Sequence, residues 1–283
     1  MLTRTEKNKK IQAKITKEEN LKKFKKITKI IFTLIITLSA IILYGMYIGA
    51  KVVLVHEYKI TNENIPNSFH GTKIVHISDI LYNSLNKKDL INIENQINEL
   101  KPDILVFTGN LKKEKELSKK DLEILKDFFN KLNAKLDKYA VMGSFDDDSM
   151  NTILENNFKI LNNSKFLLYY KDNIPLEIIG FNTNDLNLEN ISDSNNYKIC
   201  LLSNPDKIDE IKDTIKCNLA LASSTLGGEI NLFGVPIFDN HKYNKSYSKI
   251  DDIDLYISNG LGNQSNVRYF NHPSINLYRL TKY

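Results

Sequence analysis

The chain lacks the features that would set it apart from ordinary globular proteins. Its 283 residues contain no low-complexity tract, no internal repeat and no linker rich in proline, glycine or serine, and 42% of them are hydrophobic. A chain of this length and composition can bury one large core or two modest ones, which excludes an intrinsically disordered protein. Because no linker interrupts it, the chain after residue 50 is most simply one domain.

Cysteine is also scarce. The sequence holds only Cys200 and Cys217, which excludes a disulfide-rich framework. Both lie in or beside apolar runs, YKICLLS and IKCNLALAS, so we expect buried free thiols. A bridge between them is the alternative if the domain folds outside the cytoplasm, where disulfides persist.

Charge is missing from one long stretch. Residues 30–50, IIFTLIITLSAIILYGMYIGA, carry no formal charge. As an α-helix this stretch would be about 32 Å long, which matches the hydrocarbon core of a bilayer at about 30 Å. A cleaved signal peptide is the alternative, but its apolar region runs to only about 7–15 residues. The length therefore predicts a transmembrane helix over residues 30–50.

The charges before this stretch predict its orientation. Residues 1–29 hold eleven basic and three acidic residues, a net charge of +8, whereas the other 28 basic and 31 acidic residues give −3. Because basic segments stay on the cytoplasmic side, we expect a cytoplasmic tail over 1–29 and an extracytoplasmic domain over 51–283 of a single-pass cell-membrane protein. The tail would contact anionic lipids, at about 1 kcal/mol per basic residue. We expect no nucleic-acid partner, because the tail offers no aromatic residue besides Phe24.

Apolar runs and amphipathic stretches alternate in the domain, as in mixed α and β layers. Helices are predicted after the N-caps Asn86 and Ser118, and through MNTILENN and DKIDEIKDTI. The runs FKIL, FLLYY and LEIIGFN predict a local antiparallel meander. The other predicted strands are TKIVHIS, DILVFTG, KYAVMGS, YKICLLS, CNLALAS, DLYISNG and SINLYRL.

Four strands end in small or polar residues that periodicity does not explain, in HISDILYN, FTGNL, VMGSFDDD and LASSTLGG. The carboxyl ends of strands form the usual ligand crevice of an α/β sheet, so these segments are the candidate site. Gly109, Gly143, Gly227 and Gly228 within them predict turns with positive φ. The acidic run at 145–148 predicts a solvated turn or a helix cap, with calcium binding as the alternative.

These segments, in this order, resemble the calcineurin-like metallophosphoesterases, specifically the membrane-anchored bacterial branch, over about residues 52–280. The resemblance rests on GTKIVHISDI, LKPDILVFTGNL, KYAVMGSFDDD, LLSNPDKID, LALASSTLGGEI and LYISNGLGNQSNVRYFNHPSINLYRL. It implies a four-layer α+β or α/β fold, with two β-sheets packed face to face and flanked by helices, after the N-terminal helix. It also implies two divalent metals, such as Mn, Fe or Zn, that activate a water for attack on phosphorus.

At the positions of the family's metal ligands, this chain has residues that differ from the family's motifs. The motifs of the family are Asp-x-His, Gly-Asp, Gly-Asn-His-Asp, a lone His and Gly-His-x-His. Of the seven metal ligands that these motifs imply, only Asp79 is the expected residue in this chain. Phe145 stands at the position of the catalytic histidine. The five histidines lie at none of these positions, and we expect them to be surface or packing residues. The vestigial pocket comprises Asp79, Leu81, Asn110, Ser144, Phe145, Asp146, Ser203, Ser224 and Leu226.

These replacements predict a pocket without metal, cofactor or catalytic residue. Neutral and apolar side chains suit an empty pocket, because each uncompensated buried carboxylate would cost several kcal/mol. Asp79 should then be hydrogen-bonded by Asn110, Ser224 or a backbone N–H. Arg268 matches an arginine of the family, and we expect it to form a structural ion pair; a phosphate contact is the alternative.

Three functions remain open. The leading interpretation is a non-catalytic binding or scaffolding pseudoenzyme whose partner is a protein or a phosphate-like or lipid-like ligand. The first alternative is an active metal-dependent phosphoesterase or phosphodiesterase, with His76 and Asp147 as the nearest substitute ligands. The second is metal-free hydrolysis through Ser224 or Ser203.

Overall fold

The computed structural model describes residues 3–113, 116–189, 191–232, 235–237, 239–265 and 267–283. The chain divides into two compact units, Met1–Tyr44 and Gly45–Tyr283.

The first unit contains one long helix, α1 (Arg4–Tyr44). The helical stretch Lys7–Gly49 includes an 18-residue window with a mean hydropathy of 2.2, so it is long and apolar enough to cross a membrane. The predicted boundaries at 29/30 and 50/51 stay predictions. The second compact unit begins at Gly45, six residues before the predicted start of the domain.

The second unit contains two six-stranded sheets, a two-stranded ribbon and four α-helices among its described residues. The helices are α2 (Lys87–Glu99), α3 (Lys119–Lys131), α4 (Asp148–Leu154) and α5 (Ile208–Ile211). The strands are β1 (Leu54–Thr61), β2 (Lys73–Ile77), β3 (Ile104–Phe107), β4 (Asp137–Ala140), β5 (Lys159–Ile160), β6 (Ser164–Leu168), β7 (Leu176–Gly180), β8 (Tyr197–Leu202), β9 (Leu219–Ala222), β10 (Ile230–Leu232), β11 (Val235–Ile237), β12 (Tyr247–Ile250), β13 (Ile253–Ile257) and β14 (Ser274–Thr281).

Both sheets are mixed. The first has the order β1-β14-β2-β3-β4-β5 and is parallel except between β14 and β2. The second has the order β12-β13-β9-β8-β7-β6, with antiparallel pairing at both edges. The predicted meander is wrong in its first strand: β5 pairs in parallel with β4 because α4 crosses over between them. Of the three strands of the predicted meander, only β6 and β7 pair with each other in antiparallel fashion.

Alternating side chains divide the unit into four layers. In β2, Ile74 joins the core between the sheets with Val106 and Leu221, whereas Val75 points to the other face of the first sheet, beneath α2 and α3. On the far side of the second sheet, residues of α5 pack against Cys200 and its neighbours. Two packed sheets flanked by helices are therefore observed, as expected.

The predicted helix starts are confirmed at two places. Asn86 and Ser118 each form a capping box at the start of α2 and α3. The helix predicted through DKIDEIKDTI is shorter than expected, because α5 ends at Ile211 and a turn follows that leads to Cys217.

The expectation of free thiols is wrong. Cys200 and Cys217 form a disulfide with their Cα atoms 5.9 Å apart. Cys200 lies in β8 opposite Ala220 of β9, and Cys217 lies two residues before β9 begins, so the pairing of adjacent strands brings the two sulfurs together. Both cysteines are buried.

Candidate functional site

Turns at the ends of strands from both sheets meet at one place. Strands β2 and β3 of the first sheet run into Asp79 and Asn110, and β9 of the second sheet runs into Ser224. The Nδ2 of Asn110 donates to Oδ1 of Asp79 at 2.7 Å and to Oγ of Ser224 at 3.2 Å. Three of the predicted site residues therefore form one hydrogen-bonded cluster where the two sheets come together.

Asp79 is the centre of this cluster. Its side chain is buried, and its Oδ2 accepts from the hydroxyl of Ser78 at 2.7 Å and from the backbone N–H of Ser224 at 3.2 Å. Burial raises the pKa of Asp79 to about 6, although hydrogen bonds from Asn110, Ser78 and Ser224, and the charge of Arg268, favour its ionised form. The prediction that Asn110, Ser224 or a backbone N–H binds Asp79 is confirmed.

The backbone of the site is strained. Five of the nine predicted site residues have positive φ, a region that non-glycine residues seldom adopt. Such strain persists only where the surrounding fold dictates it, and it concentrates at functional sites. The five are Asp79 (46°), Leu81 (42°), Asn110 (62°), Ser224 (78°) and Leu226 (54°).

Asp146 holds two of the turns together. Its carboxylate accepts from the backbone N–H groups of Gly143 at 2.7 Å, Asn110 at 2.8 Å and Leu111 at 2.7 Å. Burial raises the pKa of Asp146, against the effect of these three bonds. The next residue, Asp147, is the N-cap of α4 and pairs with Lys112. The acidic run thus forms a turn and a helix cap, as predicted.

The other predicted residues surround this cluster unevenly. Leu81 and Leu226 are buried, and Leu226 lies with Asp79 against Gly260, where an added Cβ would meet Leu226 Cδ2 at 2.5 Å and Asp79 Cβ at 2.8 Å. The hydroxyl of Ser203 bonds that of Thr183. Ser144 and Phe145 are exposed.

One of the four predicted glycine turns is wrong. Gly109, Gly227 and Gly228 have positive φ, but Gly143 does not. Gly143 is required by close packing instead, since a Cβ there would lie 2.2 Å from Oδ1 of Asn110.

His76 and Arg268 are both fully buried. His76 is buried with Nε2 2.7 Å from Oγ1 of Thr108, and burial lowers its pKa to about 3. The ion pair expected for Arg268 is wrong among the described residues: the buried guanidinium donates instead to Oδ1 of Asn263 and to the backbone carbonyls of Asn259, Gly262 and Asn271. Burial lowers the pKa of Arg268 to about 10, while the charges of Glu229 and Asp79 act in the opposite direction.

A cavity of about 530 Å³ opens beside the cluster, with Ser224 and Leu226 in its wall. Asp239 and His241 also line it, and neither is among the predicted site residues. His241 was expected to be a surface or packing residue. The sequence signal that could have pointed to these two residues is their Asp-x-His spacing, in the segment that follows β11.

Metal ligands are few around this site. Within the described parts of the chain, no group of three or more His, Cys, Asp or Glu side chains is arranged to hold a metal ion. Of the nine predicted site residues only Asp79 and Asp146 carry a carboxylate, and that of Asp146 accepts from three backbone N–H groups.

Two mixed sheets packed face to face, with polar turns meeting at their strand ends, define a phosphoesterase-type α/β protein. The chain belongs to the calcineurin-like phosphoesterases, since the model of that family matches residues 72–260. It is similar to the uncharacterized metallophosphoesterase YkuE of Bacillus subtilis (strain 168), with 28% identity over 259 residues that cover 84% of this chain and 88% of the relative. TT1561 of Thermus thermophilus, a solved structure, matches 68% of this chain and 91% of its own at 11% identity and a TM-score of 0.44.

Proposed function

We propose that this chain is a membrane-anchored, non-catalytic member of its family that has lost the two-metal site and acts by binding. The observation that carries the proposal is the environment of Asp79. Neutral donors, namely an amide, a hydroxyl and a backbone N–H, occupy both of its carboxylate oxygens. In a two-metal site, cations would fill these positions.

The residues present do not fit a two-metal centre. Leu81 and Leu226 have no atom that can coordinate a metal, and the Nδ2 of Asn110 points an N–H donor at Asp79. The Oδ1 of Asn110 is buried without a hydrogen-bond partner among the described residues, but it faces Gly143. One carboxylate with hydroxyl neighbours makes at best a weak site for a hard cation.

The substitute ligands considered above are engaged elsewhere. His76 contacts Thr108, and Asp147 caps α4 while it pairs with Lys112. The hydroxyls of Ser203 and Ser224 bond Thr183 and Asn110. No histidine is hydrogen-bonded to either serine in the described chain, so the base that would activate a serine nucleophile is missing.

The proposed location is the cell membrane, with the N-terminus in the cytoplasm and the domain outside. The apolar helix supports the anchor, and the basic residues before it support the orientation. The Cys200–Cys217 disulfide adds support, because disulfides persist mainly in extracytoplasmic compartments. On this proposal the basic tail contacts anionic lipids of the inner leaflet.

The alternative is an active metal-dependent phosphoesterase or phosphodiesterase, which the family match favours. The non-catalytic protein and the active enzyme are distinguished by assaying the full chain in detergent on bis(p-nitrophenyl) phosphate, with and without added Mn²⁺. The proposal predicts no hydrolysis above the protein-free rate in either case. Hydrolysis that requires Mn²⁺ would establish the alternative, and metal-free hydrolysis that Ser224→Ala abolishes would identify a serine mechanism.

A further inference from the structure

The end of the uncharged apolar stretch is fixed to the folded domain. Residues 45–50 belong to the second compact unit. The backbone N–H of Arg268 donates to the carbonyl of Gly45 at 3.1 Å. A Cβ added to Gly49 would lie 1.9 Å from the carbonyl oxygen of Arg268, so the two backbones are in close contact. The last residues of the stretch therefore pack directly against the loop of residues 268–270.

The same residues are needed to cross a bilayer. A helix over residues 30–44 alone would be about 22 Å long, which is shorter than a hydrocarbon core of about 30 Å. Residues 45–50 extend the stretch to about 30 Å, and the first charged residue after it is Lys51. In the proposed membrane orientation, residues 45–50 then lie at the outer boundary of the hydrocarbon. The 268–270 loop, which is bonded to them, lies at about the same level.

Apolar side chains are exposed on this loop and on the segment beside it. Phe270 is 70% exposed and Val235 is 64% exposed. Tyr269 forms a parallel bridge with Ile230 of β10, and Val235 of β11 stands opposite Leu232 of β10. The two exposed residues therefore belong to adjoining segments. Apolar side chains grouped on a surface mark sites of contact with a protein or a membrane.

We propose that the 268–270 loop and the adjoining β10–β11 ribbon contact the outer lipid–water interface of the bilayer, where Phe270 inserts among the lipid headgroups. Aromatic side chains are enriched at this level of membrane proteins. Tyr47, which is 67% exposed and lies in the segment that the loop contacts, belongs to the same aromatic belt. The backbone of the loop stays at headgroup level, where water can satisfy its polar groups.

This inference rests on the membrane anchor of the proposed function and extends it. Lipid contact then comes from the folded domain as well as from the helix and the basic tail. A bilayer is favoured over a protein partner because the exposed residues adjoin the segment that must reach the hydrocarbon boundary.

The test uses tryptophan fluorescence, because the sequence contains no tryptophan and a single substitution gives one indole. Full-length Phe270→Trp is placed in nanodiscs of phosphatidylcholine, with or without bromine on the acyl chains near the carbonyls. Bromine quenches an indole only at short range. An indole that lies about 5–10 Å into the headgroup and acyl boundary is beside these bromines, so we expect it to lose at least about half of its emission.

Tyr283→Trp is the matched control, because Tyr283 is 90% exposed. It lies beyond the far end of β14, a strand of eight residues that begins just after the 268–270 loop and spans about 26 Å. Its emission should be the same in both lipids. Tyr47→Trp is the positive control and should be quenched. Val235→Trp is the second reporter, and it carries the test if Phe270→Trp does not fold.

Quenching of Phe270→Trp or Val235→Trp, together with unchanged emission of Tyr283→Trp, supports the inference. Quenching of Tyr47→Trp alone would overturn it, leave the membrane anchor standing and favour a protein partner for this surface. Equal quenching of Phe270→Trp and Tyr283→Trp would also overturn it, since the loop would then have no special contact with lipid. Unchanged emission of Tyr47→Trp would instead overturn the membrane anchor of the proposed function, and the inference with it.

Discussion

The side-chain amide of Asn110 donates to the carboxylate of Asp79 across 2.7 Å, at the point where the two sheets meet. In the family that the sequence resembles, this pair of positions holds two acids that share a metal. On the proposed function, the neutral amide of Asn110 stands in the place of one acid, so the pair would be stable without a cation. This exchange would also account for the buried Asp79 that remains in the site.

Asn110→Asp tests this pairing. The substitution would place two buried carboxylates about 2.7 Å apart, and like charges at that distance destabilise the folded state. We expect the free energy of unfolding to fall by about 3 kcal/mol or more at pH 7.5. The loss should be smaller at pH 5, because the folded pair retains a proton that the unfolded chain releases.

Urea unfolding at the two pH values measures this difference, with Asn184→Asp as the control at an exposed position. Added Mn²⁺ should not restore the stability of Asn110→Asp, since the leucines still cannot coordinate it. A variant as stable as the wild type at pH 7.5 would show that Asn110 does not compensate for a missing metal.

The pH dependence of stability should carry a contribution from His76. Its folded pKa of about 3 lies below the unfolded value of 6.5, so the neutral form stabilises the fold above pH 6.5. This stability is lost as the pH falls from 6.5 towards 3, and the loss from pH 7 to pH 5 is about 2 kcal/mol. Asp79 has the opposite effect on stability: because its folded pKa is raised, its contribution to the free energy of unfolding increases as the pH falls.

His76→Gln isolates the histidine contribution, since Asp79 is common to both proteins. We expect the loss of unfolding free energy between pH 7 and pH 5 to be about 2 kcal/mol smaller in His76→Gln than in the wild type. Identical pH profiles would mean that His76 is protonated in the folded protein or titrates normally.

Arg268 is predicted to be structural. Its guanidinium donates to Asn259 O at 2.9 Å and to Gly262 O and Asn263 Oδ1, and a lysine cannot reach all three with the same geometry. Arg268→Lys should therefore lower the free energy of unfolding by about 2–4 kcal/mol, because buried carbonyls lose their donors.

Arg279→Lys is the matched control, since Arg279 forms an exposed pair with Glu57 and should change stability by less than about 1 kcal/mol. Thermal and urea unfolding of the two variants give the comparison. Equal stability of Arg268→Lys and the wild type would instead favour the contact with a phosphate ligand.

The disulfide should stabilise the domain. It closes a loop between residues 17 apart, for which chain entropy predicts about 3 kcal/mol. Reduction should lower the unfolding midpoint of the wild type and leave that of a Cys200→Ala, Cys217→Ala double variant unchanged. A wild-type midpoint that does not respond to reductant would contradict a formed bridge.

Much of the fold follows from local signals, and what does not follow depends on contacts between distant segments. Asn86 and Ser118 were predicted as caps because a capping residue acts on the first turn of its own helix. The partner of Cys200 depends on the pairing of β8 with β9, and the place of β5 depends on a crossover through α4.

The site likewise has features that local sequence signals predict and features that depend on contacts between distant segments. The partner of Asp79 could be predicted, since a buried carboxylate without a metal requires donors and the neighbouring motif supplied an amide. The close approach of Gly143 to Asn110 could not, because it depends on how two turns pack. Asp239 and His241 were missed because the ribbon of β10 and β11 separates them in sequence from the turn they join around the cavity.

The central claim, a site without metals, is tested most directly by counting metal ions. The full chain is purified without chelators from cells grown with added manganese, zinc and iron, and is analysed by inductively coupled plasma mass spectrometry. The account predicts far less than one ion of these metals per chain, with no difference between the wild type and Asp79→Ala. About two ions per chain in the wild type, lost in Asp79→Ala, would contradict it.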